Sequence, residues 1–263
     1  MLFVDCDETD VFLHGKPHDH VAVMATRAAL RVFPALFVSY LTPEKPEEDF
    51  KMELETFLEI LGATHGVCAF PALWEKLADG IDPYERLDLA WATADGYARR
   101  AADEALCATA ARRSDMAEYA STPRKPGRST PLFVFGATVT FIHATRCLDC
   151  LASPRAVAQR LFRKAVMHDD AQLRGGMAAV EVCGSPLWPD NKPPAELALL
   201  WDEFRQEFSG DGDAPLWVSW YENRLKGRAR SRDRKLAESW LDGLLLSEKE
   251  AKRNRGRLLD DEW

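Results

Sequence analysis

Isoleucine and valine are scarce in this sequence. Its 263 residues include 3 Ile and 14 Val, against 36 Ala and 31 Leu. Branching at Cβ restricts a side chain in a helix and favours strands, whereas Ala and Leu are strong helix formers. The composition therefore argues against a sheet-rich protein and predicts an all-α fold, with many helices packed in a bundle-like way.

The sequence also lacks a long uninterrupted apolar run. Its longest apolar stretch, residues 21–41, contains Arg27, Arg31 and Pro34, which makes it too polar for a membrane span. The start of the chain is acidic from Asp5 and has neither the basic nor the apolar region of a signal peptide. The six cysteines are scattered, unlike those of a disulfide framework. We expect a cytoplasmic protein with reduced thiols and no membrane partner.

The short motifs that mark common enzyme classes are missing as well. The sequence has no nucleophile elbow (Gly-x-Ser-x-Gly), Walker A loop, dinucleotide fingerprint or zincin pair (His-Glu-x-x-His). Paired carboxylates do occur, at Asp169-Asp170 and Asp260-Asp261, but such pairs are common at helix ends. The sequence therefore predicts no bound cofactor and favours a protein without enzymatic activity.

Apolar periodicity and helix-boundary signals place most of the chain in helices. Pro34 is expected to kink or end the first helix, and Gly62 to end the second. The predicted helices cover residues 21–41, 47–61, 82–120, 132–152, 153–173 (including its cap), 193–208 and 214–225, and a last basic helix begins at a capping box over 247–250. Residues 1–20 show no clear period and are expected to be irregular.

Residues 121–131 form the clearest interruption of the helical pattern. This stretch contains three prolines, one glycine and four hydroxyl residues. We interpret it as a long exposed loop within a single helical domain, residues 1–263. The alternative is a linker between an N-terminal helical part, residues 1–120, and a C-terminal Trp-rich helical module, residues 132–263.

Carboxylate and imidazole side chains are concentrated near the N-terminus. Neutral imidazole and carboxylate are good ligands for zinc or manganese, and a His-x-His pair can converge on one ion. The candidate metal ligands are Asp5, Asp7, His14, His18 and His20. They support one alternative function, a metal-dependent hydrolase or nuclease, while the simpler interpretation is a solvated polar loop.

Cys147-Leu-Asp-Cys150 is a single CxxC pair, with His143 four residues before it. A structural zinc site needs a second pair of ligands, and Cys183 and His168 do not form a recognisable one. A thioredoxin-like role needs a preceding strand and an exposed first cysteine. We therefore predict that Cys147 and Cys150 are buried structural cysteines.

Positive charge is concentrated between Arg224 and Arg257, where 12 Lys/Arg stand against 5 Asp/Glu in a chain of net charge −8. Nearby aromatic side chains can stack on bases, so a nucleic-acid-binding protein is a second alternative. Because these aromatics have helical spacing and the whole protein is acidic, we favour a solvated cationic helix face that docks on the acidic remainder of the chain or on a partner. The candidate partner-binding residues are Trp217, Trp220, Tyr221, Arg224, Arg228, Arg230 and Arg232.

Six of the eight tryptophans lie between Trp188 and Trp263. Pro186-Leu-Trp-Pro is followed by Trp217-Val-Ser-Trp-Tyr-Glu-Asn-Arg-Leu-Lys-Gly, and this order resembles a module at the ends of alanine-rich helical bacterial proteins. The segment from Arg27 to Pro34 is similar to their N-terminal helix. In that group a Gly-Pro and a Val-Asn turn follow the last tryptophan, and this sequence lacks them. The resemblance implies no activity, although some such modules look like accessory parts of bacterial conflict systems.

These observations favour a non-enzymatic regulatory or adaptor protein. It would act through protein–protein contacts in a bacterial multi-protein system, including systems of defence. An enzyme should show a cleft with converging His and Asp side chains, whereas an adaptor should show a sizeable exposed apolar patch.

Overall fold

The computed structural model describes most of the chain as packed helices. It covers residues 3, 5–38, 47–74, 76–77, 94–109, 132–151, 155–207, 214–228 and 233–260. Within these ranges 87% of the residues are helical and no strand occurs. The predicted all-α fold class is therefore confirmed.

Ten α-helices occur in the described ranges, together with three short 3-10 segments. The α-helices are α1 (Cys6–Leu13), α2 (His18–Val32), α3 (Glu47–Ala69), α4 (Ala94–Thr109), α5 (Leu132–Leu151), α6 (Arg155–Arg174), α7 (Ala179–Gly184), α8 (Ala195–Glu207), α9 (Ala214–Leu225) and α10 (Asp233–Asp260). The 3-10 segments are Phe33–Val38, Pro71–Leu73 and Pro189–Asn191.

Helix α2 lies at the centre of the fold. Every residue from Val21 to Val32 is buried, because α2 packs against α3, α4, α5, α6 and α7. Four alanines within this stretch allow neighbouring helices to approach closely. By length and composition the segment His18–Val38 is the one described helix apolar enough to cross a membrane, and 94% of its apolar window is buried inside the protein. Its surroundings are those of a core helix.

The N-terminal segment is ordered, which corrects the expectation of an irregular region over residues 1–20. The Asp5 side chain accepts hydrogen bonds from the backbone N–H groups of Asp7 and Glu8, and it caps the start of α1. The Phe3 ring is buried against Phe141 of α5, with 4.9 Å between the ring centroids. The Asp5 cap and the buried Phe3 ring explain why α1 forms and packs on the core.

The predicted helix ends are correct in one case and wrong in two. Helix α2 ends before Pro34, which lies in the following 3-10 segment. Gly62 does not end α3, which continues to Ala69. The capping box at 247–250 starts no new helix, since α10 runs through it. The proposed linker 121–131 lies outside the described residues, so the division into domains stays a prediction.

Candidate functional site

Two arginines of the central helix form a buried ion cluster. Arg27 and Arg31 are one turn apart on α2, and both side chains have a relative exposure of 0%. Their partner is Asp169 on α6, which is equally buried. The Asp169 Oδ2 atom accepts from Arg27 Nε at 3.0 Å and from Arg31 Nη2 at 2.7 Å. One carboxylate oxygen thus bridges two guanidinium groups inside the core.

The same arginines bind the backbone that follows α7. Arg27 donates to the carbonyl oxygens of Val182 and Ser185, both at 2.8 Å, and of Pro186 at 2.6 Å. Arg31 donates from Nε to the carbonyl oxygen of Leu187 at 2.7 Å. These acceptors belong to the end of α7 and to the loop that leads to Trp188. The cluster therefore fastens this loop to α2.

The cluster contains more positive than negative charge. Arg27 and Arg31 share the single carboxylate of Asp169, which leaves one positive charge in excess. The Arg31 Nη1 and Asp169 Oδ1 atoms have no hydrogen-bond partner. Burial lowers the pKa of Arg31 to about 10, and the Asp169 carboxylate opposes this shift. Burying a second guanidinium charge without a second carboxylate to pair with it costs free energy.

A pocket of about 90 Å³ lies next to this cluster. Its walls come from α2, α8, α9 and the loops beside them. The lining residues are Arg31, Pro34, Trp188, Pro193, Leu197, Ala198, Trp201, Asp202, Tyr221 and Leu225. Aromatic rings, prolines and aliphatic side chains make the walls apolar, with the buried Arg31 and the exposed Asp202 as the charged groups.

A second buried polar network joins α3 to α9 and α10. His65 Nε2 accepts a hydrogen bond from Arg224 Nη1 at 3.3 Å. Arg224 also donates to the carbonyl oxygen of Arg228 at 2.8 Å and to the carboxylate of Asp233. Burial, aided by the nearby charge of Arg224, holds the pKa of His65 well below its usual value. The imidazole is therefore neutral and serves as an acceptor.

The predicted partner-binding residues separate into a buried and an exposed set. Trp217, Trp220, Tyr221 and Arg224 have relative exposures of 7%, 3%, 1% and 3%. All four side chains are therefore buried in the core, not exposed on a convex face. Arg228 is exposed, while Arg230 and Arg232 lie outside the described residues. Tyr221 is the member of this set that lines the pocket.

The tryptophans pack on one another, which explains their burial. The Trp217 and Trp240 rings are stacked with centroids 4.2 Å apart. Trp220 meets Trp240 edge-on at 5.5 Å and lies beneath the Arg224 guanidinium at 6.0 Å. Helical spacing thus reflects a core cluster shared by α9 and α10, and it gives no sign of base stacking.

The structure does not gather the predicted metal ligands into one site. Asp5 caps α1, and the His18 Nε2 atom lies 3.0 Å from the carbonyl oxygen of Ala108 in α4. Asp7 and His14 are exposed, and His20 is half-buried on α2. Among the residues that the structure describes, no group of three or more His, Cys, Asp or Glu side chains could hold a metal ion.

The CxxC cysteines differ in environment. Cys147 is buried on α5, as predicted, whereas Cys150 is exposed, so the prediction of a buried cysteine is wrong for Cys150. Cys183 is buried beside the second network, where its thiol lies 3.8 Å from the carbonyl oxygen of His65. Burial raises the pKa of Cys183 far above its usual value. This thiol is therefore kept protonated.

Exposed apolar side chains are spread over the described surface. Seven large apolar residues are exposed, and they lie on different elements: Val11, Phe135, Val157, Met177, Val180, Leu199 and Leu246. No single helix collects them. The pocket with aromatic walls beside the arginine cluster is therefore a better candidate binding site than the exposed face of any one helix.

The sequence contains a signal for the arginine cluster, since Arg27 and Arg31 interrupt an otherwise apolar segment. Two arginines one turn apart in an otherwise apolar helix are a signal for a buried acidic partner, because buried charges are paired. The interpretation of Asp169 as one of a pair of helix-end carboxylates misses its role, because Asp169 is the buried partner of Arg27 and Arg31. For Trp188 and Trp201, which line the pocket, the only signal in the sequence is their place in the series of C-terminal tryptophans.

Comparison of the chain with protein-family models, with curated proteins and with solved structures finds no match.

Proposed function

We propose that this protein is a non-enzymatic regulatory or adaptor protein of a bacterial multi-protein system, and that it acts in the cytoplasm by binding another protein. The observation that carries the proposal is the preformed pocket beside the arginine cluster. It combines the aromatic rings of Trp188, Trp201 and Tyr221 with a size suited to one short side chain. Recognition of single anchor side chains in such pockets is a common basis of protein–protein affinity.

The chemistry of the buried polar residues supports a binding role. Burial raises the pKa values of the Cys183 thiol and the Tyr221 hydroxyl, and it lowers that of His65. A general acid or base is most effective when its pKa lies near the working pH, so these shifts are in the wrong direction for catalysis at neutral pH. Their hydrogen bonds instead hold helices together, as the Tyr221 hydroxyl does by donating to the Leu30 carbonyl oxygen at 3.0 Å.

The resemblance of the C-terminal region fits the same proposal. The structure places its two sequence elements in contact, since a Cβ built on Gly227 would lie 2.5 Å from Pro186 Cδ. Trp188 from the first element and Tyr221 from the second both line the pocket. The recurring residues of the module would then build one receptor, positioned by Arg27 and Arg31 from the central helix.

Neither alternative has a described contact in its favour. A metal-dependent hydrolase needs the N-terminal ligands to converge, and a nucleic-acid-binding protein needs the basic residues from Arg224 to Arg257 at the surface. Arg224 is committed to the buried network. Both alternatives stay as outcomes of the experiment below.

Native mass spectrometry can test the adaptor proposal. The protein is purified from its own host without chelator, as the unmodified chain and as an Ala198→Leu variant. Ala198 lines the pocket and takes no part in the hydrogen bonds of the arginine cluster, so we expect the larger side chain to fill the pocket. We expect a second protein in stoichiometric amount with the unmodified chain and its loss from the variant.

The matched control is Ala195→Leu, the same chemical change at an exposed position of α8 that does not line the pocket. This variant should keep the partner. A metal-sized mass excess, bound nucleic acid, absence of any partner, or a partner retained by Ala198→Leu would each contradict the proposal.

A further inference from the structure

The arginine cluster, which has one more positive than negative charge, reaches the pocket through Arg31. Arg27 and Arg31 share the one carboxylate of Asp169. Inside a protein the effective dielectric constant is low, so this excess charge acts over several ångströms without direct contact.

Arg31 connects the charge with the pocket. Its side chain lies in the pocket wall, it is fully buried, and its Nη1 atom has no partner. Its guanidinium lies 5.8 Å from the Trp188 ring centroid, and the other charged residue that lines the pocket is the exposed Asp202. Asp202 is itself paired with Arg205 at 3.0 Å, which offsets its charge at the rim.

The uncharged residues that line the pocket determine which ligand shapes fit. Trp188, Trp201 and Tyr221 supply aromatic faces, and Pro193 and Leu197 supply aliphatic ones. A site of 10–15 Å³ holds a water molecule, so the pocket volume of about 90 Å³ accepts several heavy atoms. The matching ligand is short, apolar on most sides and negative at one end.

We infer that this pocket binds a carboxylate attached to a short apolar group. The carboxylate lies on the Arg31 side and balances the excess charge of the cluster, while the apolar group contacts the aromatic walls. Two sources offer this chemistry, a free branched-chain acid and the C-terminal residue of a protein. The inference rests on the proposed binding role of the same pocket and names the chemical group that it recognises.

The test compares ligands of equal shape and different charge. Isobutyrate and isobutyramide are titrated against the full chain, with ligand-detected NMR and the thermal unfolding midpoint as readouts. We expect isobutyrate to bind at least about tenfold more tightly than the amide, because the excess positive charge of the cluster attracts a carboxylate through a medium of low dielectric constant and does not attract a neutral amide. A tetrapeptide ending in valine, with a free or an amidated C-terminus, forms the second arm.

The two arms distinguish the sources. Tighter binding of the free-acid peptide than of isobutyrate assigns the site to a protein C-terminus, and the reverse assigns it to a free acid. Ala198→Leu should abolish binding in both arms, and Ala195→Leu should leave it unchanged. Arg31 itself is not substituted, because it also holds the loop through Leu187.

Equal binding of acid and amide, or no binding of either, would overturn the inference. Its failure is separable from that of the proposed function. Loss of a protein partner from Ala198→Leu without any preference for carboxylates leaves the adaptor role in place and removes the ligand assignment. Carboxylate binding without a protein partner would keep the ligand assignment and contradict the adaptor role.

Discussion

Arg27 and Arg31 show why arginine rather than lysine occupies these positions of α2. A guanidinium offers five N–H donors in a planar arrangement, so one side chain can serve several acceptors at once. Arg27 uses this capacity for three carbonyl oxygens and the Asp169 carboxylate. A lysine has three donors on a single nitrogen and could not satisfy the same loop.

Replacing Asp169 by asparagine should destabilise the protein strongly. The Asp169→Asn variant keeps the size of the side chain but removes the negative charge shared by Arg27 and Arg31. Breaking a buried ion pair by removing one partner costs about 3–5 kcal/mol, because an uncompensated charge is left in the core. The free energy of unfolding from urea denaturation measures the effect.

Asp190→Asn is the matched control for this substitution. Asp190 pairs with Lys164 at 3.1 Å, and both side chains are more than half exposed. Surface pairs contribute at most about 1 kcal/mol, so the control should stay close to the unmodified protein. Similar losses in the two variants would show that the arginine cluster is not a stabilising feature.

At the scale of helices, the contact between α3 and α10 depends on glycine. A Cβ built on Gly62 would lie 2.3 Å from the Trp240 ring, and one on Gly66 would lie 2.3 Å from the Ala237 Cβ. The Trp240 ring therefore packs directly against the backbone of α3 at Gly62. This close approach explains why the glycine lies within a helix instead of ending it.

Gly62→Ala should loosen α10 from α3. The added methyl group has no space against Trp240, and forcing extra atoms into a packed core costs about 1–3 kcal/mol. We expect a lower thermal unfolding midpoint and faster proteolysis within α10. Gly184→Ala serves as the control, since a Cβ there meets no atom within 4 Å. An unchanged midpoint for Gly62→Ala would mean that the two helices are not tightly packed.

Most helices could be predicted from the sequence, whereas the pocket could not. Helix α9 begins and ends at the predicted residues because its apolar periodicity and neighbouring breakers are local signals. The pairing of α2 with Asp169 joins residues 138 positions apart, and no local pattern specifies such a contact. The role of Gly62 likewise depends on Trp240, a residue from a distant helix.

The same limit applies to the predicted site residues. Helical spacing places Trp217, Trp220 and Arg224 near one another, while their role in binding a partner stays a prediction. Spacing alone does not tell whether such a face is covered, and here α10 covers it through Trp240. For the N-terminal histidines, proximity in sequence suggested a shared ion, but His18 is directed to α4.

At the scale of the whole molecule, the fold disfavours the charged form of three histidines, of which His65 is buried and His18 and His143 are half-buried. Burial lowers the pKa values of His18 and His65, and it lowers that of His143 to about 4 with help from Arg146 and Arg100. An unfolded chain takes up protons on these groups below about pH 6.5, whereas the native protein takes up the same protons only at lower pH. The free energy of unfolding is therefore highest above that pH and decreases as the pH falls.

The fully buried His65 gives the sharpest test of this pH dependence. A histidine that stays neutral in the native state costs about 2 kcal/mol of stability between pH 7 and pH 5, given its usual pKa when unfolded. His65→Gln keeps a hydrogen-bond acceptor for Arg224 but removes the proton uptake of the unfolded chain. Urea denaturation at both pH values should show a decrease smaller by that amount than in the unmodified protein. His168→Gln, at an exposed position of α6, should retain the full decrease, and an equal decrease in His65→Gln would show that His65 is not kept neutral by the fold.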